Sequence, residues 1–265
     1  MSVTGGVLSV LLGLAVGAFG TFIGAGGGFL LVPALLLGYR FAPADAVGTS
    51  LALVFLNALS GSIAYLRQRR VDLHLGWRFA GATIPGAVGG AYLTRALTSG
   101  LFSLGFGTLL LGIATLLFWG QSASPSRRAK TRAVVDARGE THAYAVDVWK
   151  GVVLSFFVGF ISSVFGIGGG IIHVPFLIVI LGLPIHVATA TSHFVLSIST
   201  LVGASTFLAL GHVDLRLVAL IGIGILAGAQ LGAWASTRAR PIVIRIVLAA
   251  SLTLVAIRMI FHGAG

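Results

Sequence analysis

Apolar residues run along this chain in ten stretches, at about 5–23, 28–38, 46–66, 74–94, 101–119, 150–166, 170–182, 188–209, 215–236 and 244–261, with short polar connections between most of them. Most approach the roughly 20 residues that carry a helix across the hydrocarbon core of a bilayer, where only a helix or a closed barrel satisfies its own backbone. The pattern predicts an all-α polytopic membrane protein. Stretches 28–38 and 170–182 are short. At about 1.5 Å per residue each covers little more than half the core, which predicts a half-helix or a re-entrant segment. Only 120–149 is polar and long enough to be a substantial loop. Its part Ala133 to Val146 has no helical period; the turn chemistry of Arg138-Gly139 allows a small hairpin, and disorder is the alternative.

The chain repeats itself. Without a gap, an offset of 142 residues brings Gly24, Gly26, Gly27 and Gly28 onto Gly166, Gly168, Gly169 and Gly170. The same offset brings Val32-Pro33 onto Val174-Pro175, Thr49-Ser50 onto Thr191-Ser192, Gly61 onto Gly203, Val71-Asp72-Leu73 onto Val213-Asp214-Leu215, and Gly86-Ala87 onto Gly228-Ala229. A register held over some seventy residues marks a duplicated unit. Each copy has five apolar segments, and an odd number inverts the second copy relative to the first. The expected organisation is a first transmembrane repeat over 1–120, a loop over 121–149 and a second, inverted repeat over 150–265.

Composition agrees with a membrane protein: 57% of residues are hydrophobic, only 9% are charged, and mean hydropathy is +1.06, against roughly a quarter charged in a soluble domain. The formal charge of +11 does not point to nucleic acid, because the basic residues sit in the short connections, where they orient helices and meet lipid headgroups. With the N-terminus outside, thirteen Lys and Arg residues fall inside (Arg67, Arg69, Arg70, Arg78, Arg127, Arg128, Lys130, Arg132, Arg138, Lys150, Arg238, Arg240 and Arg245) and four outside (Arg40, Arg95, Arg216 and Arg258). That bias predicts a multi-pass protein of the plasma or inner membrane with both termini outside and the loop 120–149 cytoplasmic. The first residues lack the basic start of a signal peptide, so the first apolar segment is expected to be retained. There is no cysteine, which excludes disulfides and thiolate chemistry.

In inverted-repeat transporters the substrate sits near the bilayer midplane, between the copies, where broken helices expose backbone amides. Gly26, Gly27 and Gly28 in the first copy, and Gly168, Gly169 and Gly170 in the second, each precede a short helix soon followed by Pro33 or Pro175. Glycine permits positive φ and close approach, so several N–H groups can face one anion; close helix packing is the alternative role. Thr49-Ser50 and Thr191-Ser192-His193 are placed near the starts of long spans, as caps or oxyanion donors. Asn57 lies deeper in the same span as Thr49. His173 and His193 interrupt apolar segments, which makes them candidates, although a neutral histidine bonded to a neighbouring carbonyl fits equally. All six carboxylates, Asp45, Asp72, Asp136, Glu140, Asp147 and Asp214, fall in loops or at span ends, which suits an anion and disfavours a proton relay on Asp or Glu. No phosphate-loop motif and no nucleophile with base and orienter can be assembled, so neither an enzyme nor a cofactor or metal is expected.

The pattern Gly24-x-Gly-Gly-Gly28-x-x-x-x-Pro33 followed by Ala46-x-x-Thr49-Ser50, and its echo Gly166-x-Gly-Gly-Gly170-x-x-x-x-Pro175 followed by Ala188-x-x-Thr191-Ser192-His193, resembles the TauE/SafE family of membrane permeases. The likeness covers roughly 15–119 and 150–261 and leaves the loop outside. It implies export of sulfite, sulfoacetate or a related organosulfonate or carboxylate. Apart from that small anion and the lipid bilayer the sequence implies no partner and leaves the oligomeric state open, a homodimer included. A non-transporting assembly or sensor component is the alternative function.

Overall fold

A computed structural model describes residues 3–119 and 129–263. Helix α1 (Val3–Phe22) is followed by the short α2 (Gly28–Pro33), then by α3 (Pro43–Arg67), α4 (Leu73–Thr94) and α5 (Ser99–Trp119). A hairpin of β1 (Lys130–Val135) and β2 (Thr141–Val146) leads into α6 (Val148–Phe165), the short α7 (Gly170–Pro175), α8 (Ile185–Ala209), α9 (Leu215–Ser236) and α10 (Pro241–Gly263). Among the described residues six helices are long and apolar enough to span a membrane: Pro43–Arg67, Ser99–Phe118, Val148–Phe165, Ile185–Ala209, Leu215–Ser236 and Pro241–Phe261. The chain is a polytopic helical membrane protein.

Local chemistry fixes the ends. Asp72, Asp147 and Asp214 cap α4, α6 and α9, accepting from the amides of Leu75, of Lys150, and of Arg216 and Leu217. Pro43, at the first turn of α3, starts that helix with its fixed φ. As a result α3 and α8 begin several residues before the apolar stretches do, and Thr49 and Thr191 lie about two turns inside their helices instead of capping them. The short apolar stretches are broken where expected. Pro33 and Pro175 lack an N–H and cannot continue the helical ladder, and the chain widens into π-helical turns over Ala34–Gly38 and Phe176–Ile180, closed by bonds from Tyr39 N to Ala34 O and from Leu181 N to Phe176 O.

Packing is reciprocal between the halves. Helix α1 lies along α9, and α6, its counterpart at the offset of 142, lies along α4; α3 packs on α8 and α5 on α10. Small residues let these backbones meet: a Cβ at Gly228 would run into the Leu14 carbonyl, and one at Gly86 into that of Phe156.

The loop region forms the hairpin, with Lys130 opposite Val146 and Val135 opposite Thr141; residues 120–128 of the expected loop lie outside the described residues. It is docked, not free. The buried Asp72 carboxylate takes Arg132 Nε at 2.6 Å, Arg132 Nη2 at 2.9 Å and the Tyr144 hydroxyl at 2.6 Å. Ala137 N donates to Gln68 O and Arg138 to Thr237 O, so the loops after α3 and α9 share one end of the molecule with the hairpin.

Candidate functional site

The two glycine stretches meet back to back at the centre. A Cβ at Gly28 would lie 2.7 Å from Gly166 O, and one at Gly170 would lie 2.7 Å from Gly24 O. Gly24, Gly26, Gly27, Gly166, Gly168 and Gly169 all have φ between 69° and 81°, the left-handed region that only glycine enters without strain. Gly26 and Gly168 both face the side chains of Val54 and Leu196, a matched pair on α3 and α8 that separates them.

Polar side chains around this meeting fall into two groups. Beside the first stretch, Thr21 Oγ1 donates to Asn57 Oδ1 at 2.7 Å and lies 3.3 Å from His193 Nε2. Because that hydroxyl proton is already given to Asn57, the imidazole is the donor to Thr21. Asn57 Nδ2 donates to Gly26 O at 2.8 Å, the Tyr65 hydroxyl to Thr21 O at 2.6 Å, and the Tyr65 ring stands edge-on to His193. This cluster ties α1, α3 and α8 together.

Beside the second stretch, Gly168, Gly169, Gly170, His173, Ser192, Thr83 and Ser199 line a small cavity of about 10 Å³, about the room one water needs. Here hydrogen-bonding groups are left over. Ser192 Oγ and His173 Nδ1 are buried without a partner among the described residues, while His173 Nε2 lies 3.1 Å from Ser155 Oγ. The amides of Gly168, Gly169 and Gly170 donate to no backbone acceptor among those residues; the same holds for Gly27 and Gly28, the counterparts of Gly169 and Gly170, whereas Gly26, the counterpart of Gly168, donates to Gly20 O.

The remaining candidates serve the frame. Thr191 Oγ1 accepts from Asp72 N and Thr49 Oγ1 from Asp214 N, both at 3.0 Å, so each half fastens the start of the other half's fourth helix. Ser50 Oγ donates to Gly166 O at 2.8 Å. The structure therefore brings together Gly168, Gly169, Gly170, His173 and Ser192 at one cavity, and Gly26, Asn57 and His193 in a bonded cluster. It keeps Thr49, Ser50 and Thr191 apart from the cavity. Gly28 is in the contact between the stretches, against Gly166 and Ile167, whereas Gly27 packs against Val16 of α1.

Sequence reasoning missed Thr21, Tyr65, Ser155 and Thr83. Only Thr21 carried a local signal, three residues before Gly24. His142 and His186, outside the sequence candidates, line a second and larger cavity at the hairpin end, about 450 Å³, with Arg67, Arg70, Arg138 and Arg238. Asp136, Glu140 and His142 bring three potential metal-ligand atoms within 4.8 Å of one another there, but Asp136 already accepts from the amides of Arg138 and Glu140 in the hairpin turn.

A sequence model of the family described as Sulfite exporter TauE/SafE matches residues 9–259. The chain is 32% identical over 267 residues to the probable membrane transporter protein YunE of Bacillus subtilis, covering 97% of this chain and 98% of that one. It is 27% identical over 229 residues to the probable membrane transporter protein YdhB of the same organism, covering 84% and 85%. A probable membrane transporter protein of Methanocaldococcus jannaschii is 26% identical over 278 residues, covering 96% and 94%. No solved structure matches the chain.

Proposed function

This chain belongs to the TauE/SafE sulfite exporter family, and from that premise we propose that it exports a small oxyanion, such as sulfite, sulfoacetate or a related organosulfonate or carboxylate. Its halves act as inverted repeats that open alternately to the two sides, with both termini outside and the hairpin in the cytoplasm. The observation that carries the proposal is the cavity beside the second glycine stretch: unspent amides at Gly168, Gly169 and Gly170 and an unpartnered hydroxyl at Ser192, with no carboxylate among its lining residues. Donors without fixed negative charge suit an oxyanion. At about 10 Å³ the cavity has room for a water but not for a sulfonate, so passage requires it to widen. Gly26, Gly27, Gly28, Asn57 and His193 lie on the far side of Val54 and Leu196, outside the cavity lining, and enter the path only when the halves move, while Thr49, Ser50 and Thr191 hold the halves in register.

The membrane potential alone can drive such export without a coupled ion, since an anion leaving an inside-negative cell gains about 2.3 kcal/mol per charge for each 100 mV. Proteoliposomes loaded with labelled sulfoacetate test this. Efflux that depends on the protein and quickens with an inside-negative potential is expected. Efflux equal to that of empty liposomes for sulfite, sulfoacetate and acetate alike would leave the assembly or sensor component as the function.

A further inference from the structure

The larger cavity, at the hairpin end, has a floor with an unusual charge. Arg70 is 4% exposed, yet among the described residues no carboxylate forms an ion pair with it, and Asp136 acts on its charge only from a distance. Its Nη1 donates to Gln68 Oε1 at 3.1 Å and to Ser236 Oγ at 3.2 Å, and its Nη2 bonds His186 Nδ1 at 2.7 Å. Its guanidinium lies 5.4 Å from the centre of the Tyr65 ring. Three of the five N–H groups of a guanidinium are spent this way on neutral partners, and two remain. Burying a cation beside neutral groups is costly unless an anion completes the site.

The surroundings add to the same charge. Arg67, Arg138 and Arg238 line the cavity with Arg70, four guanidiniums against the two carboxylates of Asp136 and Glu140, which leaves a surplus of positive charge. Arg138 is held by Thr237 O and Arg238 lies 4.0 Å over the Trp234 ring, so two of these cations are positioned by the frame. Since Arg70 donates to His186 Nδ1, the neutral imidazole carries its proton on Nε2 and offers one more donor.

We propose that this vestibule binds a small oxyanion from solution, a sulfonate, sulfite or carboxylate, with Arg70 as its central ligand, His186 as a neutral donor, and Arg67, Arg138 and Arg238 as the attracting rim. Binding is a property of the vestibule itself. That this is where the exported anion is gathered rests on the transport proposal above. The fully buried Tyr65 stands between Arg70 and the Thr21–Asn57–His193 cluster, so an anion seated on Arg70 is one side chain away from the central glycine stretches.

Calorimetry with the full chain in neutral detergent and sulfoacetate as the probe tests the site. Saturable binding is expected, weakened at least about tenfold, or 1.4 kcal/mol, in Arg70→Gln. The exposed Arg67→Gln with Arg238→Gln, which leaves the buried floor intact, should weaken it several-fold. No binding of sulfoacetate to the parent protein, or equal affinity in the folded Arg70→Gln and rim variants, would overturn the proposal. So would loss of sulfoacetate binding on moving from phosphatidylcholine to phosphatidylglycerol nanodiscs, because a lipid headgroup would then be the occupant. Efflux from proteoliposomes separates the two proposals. Binding without efflux would contradict transport and leave the vestibule standing, whereas efflux with a KM indifferent to Arg70→Gln and to the rim variant would contradict the vestibule alone.

Discussion

The two glycine stretches have nearly the same sequence and the same left-handed backbone, yet they sit in different chemistry. Around the first, Gly26 is bonded through both its amide and its carbonyl, Asn57, Thr21 and Tyr65 bond one another or the backbone, and Ser50 reaches across to Gly166 O. Around the second, the amide of Gly168 is unspent, Ser192 lacks the bond its counterpart Ser50 makes, and His173 stands where the first half has Leu31. A buried polar group left unpaired within a protein costs about 1–3 kcal/mol. Among the described residues both stretches leave amides free, at Gly27 and Gly28 and at Gly169 and Gly170, and His193 Nδ1 is unpartnered beside the first, but only the second adds a free Gly168 amide and a free Ser192 hydroxyl, so its surplus of donors is the larger.

Leucine at either stretch tests the shared part of this comparison and should have the largest effect. Gly27→Leu and Gly169→Leu force a branched side chain into left-handed backbone, and efflux should fall about tenfold or more in both. Alanine separates them. A Cβ at Gly27 would sit 2.6 Å from Val16 Cγ1, whereas at Gly169 its nearest neighbour is Val158 Cγ1 at 3.2 Å. Gly27→Ala should lower the melting temperature more than Gly169→Ala; equal shifts would remove the steric difference between the halves.

The serine pair should come next. Ser192→Ala should cut efflux several-fold while leaving the melting temperature unchanged, because its hydroxyl has no partner among the described residues. Ser50→Ala loses the bond to Gly166 O and should cost about 1 kcal/mol of stability with efflux largely kept. The opposite ranking would put the working donors in the first half.

The smallest expected effect on efflux lies at the hairpin. Burial alone would raise the Asp72 carboxyl, but Arg132, Tyr144 and the Leu75 amide outweigh it and hold it below the ordinary carboxylate range. A carboxyl depressed on folding stabilises fully above its unfolded pKa, about 3.9, and loses that contribution as pH falls through its lower folded value. Asp72→Asn should thus loosen the hairpin at neutral pH as strong acid does to the parent protein. Hydrogen exchange of residues 130–146 reads both, and undiminished protection in the variant would show that the hairpin is held elsewhere.

The fold was legible because apolar length and the 142-residue register are both properties of the chain read linearly. Proline and glycine marked the two broken helices for the same reason. The site was legible only as a set of residue types. Thr49 and Thr191 look like helix caps or oxyanion donors from their neighbours, and nothing local says that each accepts an amide from the opposite half. Likewise, Ser50 and Ser192 are equivalent in sequence, and only packing leaves one hydroxyl bonded and the other not. Arg70 was counted as one of thirteen orienting charges; its burial against Gln68, His186 and Ser236 depends on three separate segments meeting.

The central claim is that the second glycine stretch, not the first, holds the anion at the middle of the membrane. A structure determined in lipid nanodiscs with a bromine-substituted alkylsulfonate tests it most directly, since bromine marks the ligand independently of its oxygens. The account predicts the sulfonate oxygens against the amides of Gly168, Gly169 and Gly170 and the Ser192 hydroxyl, in a cavity wider than the present one. A ligand bound instead among Gly26, Asn57 and His193, with Ser192 and His173 still unpartnered, would contradict it.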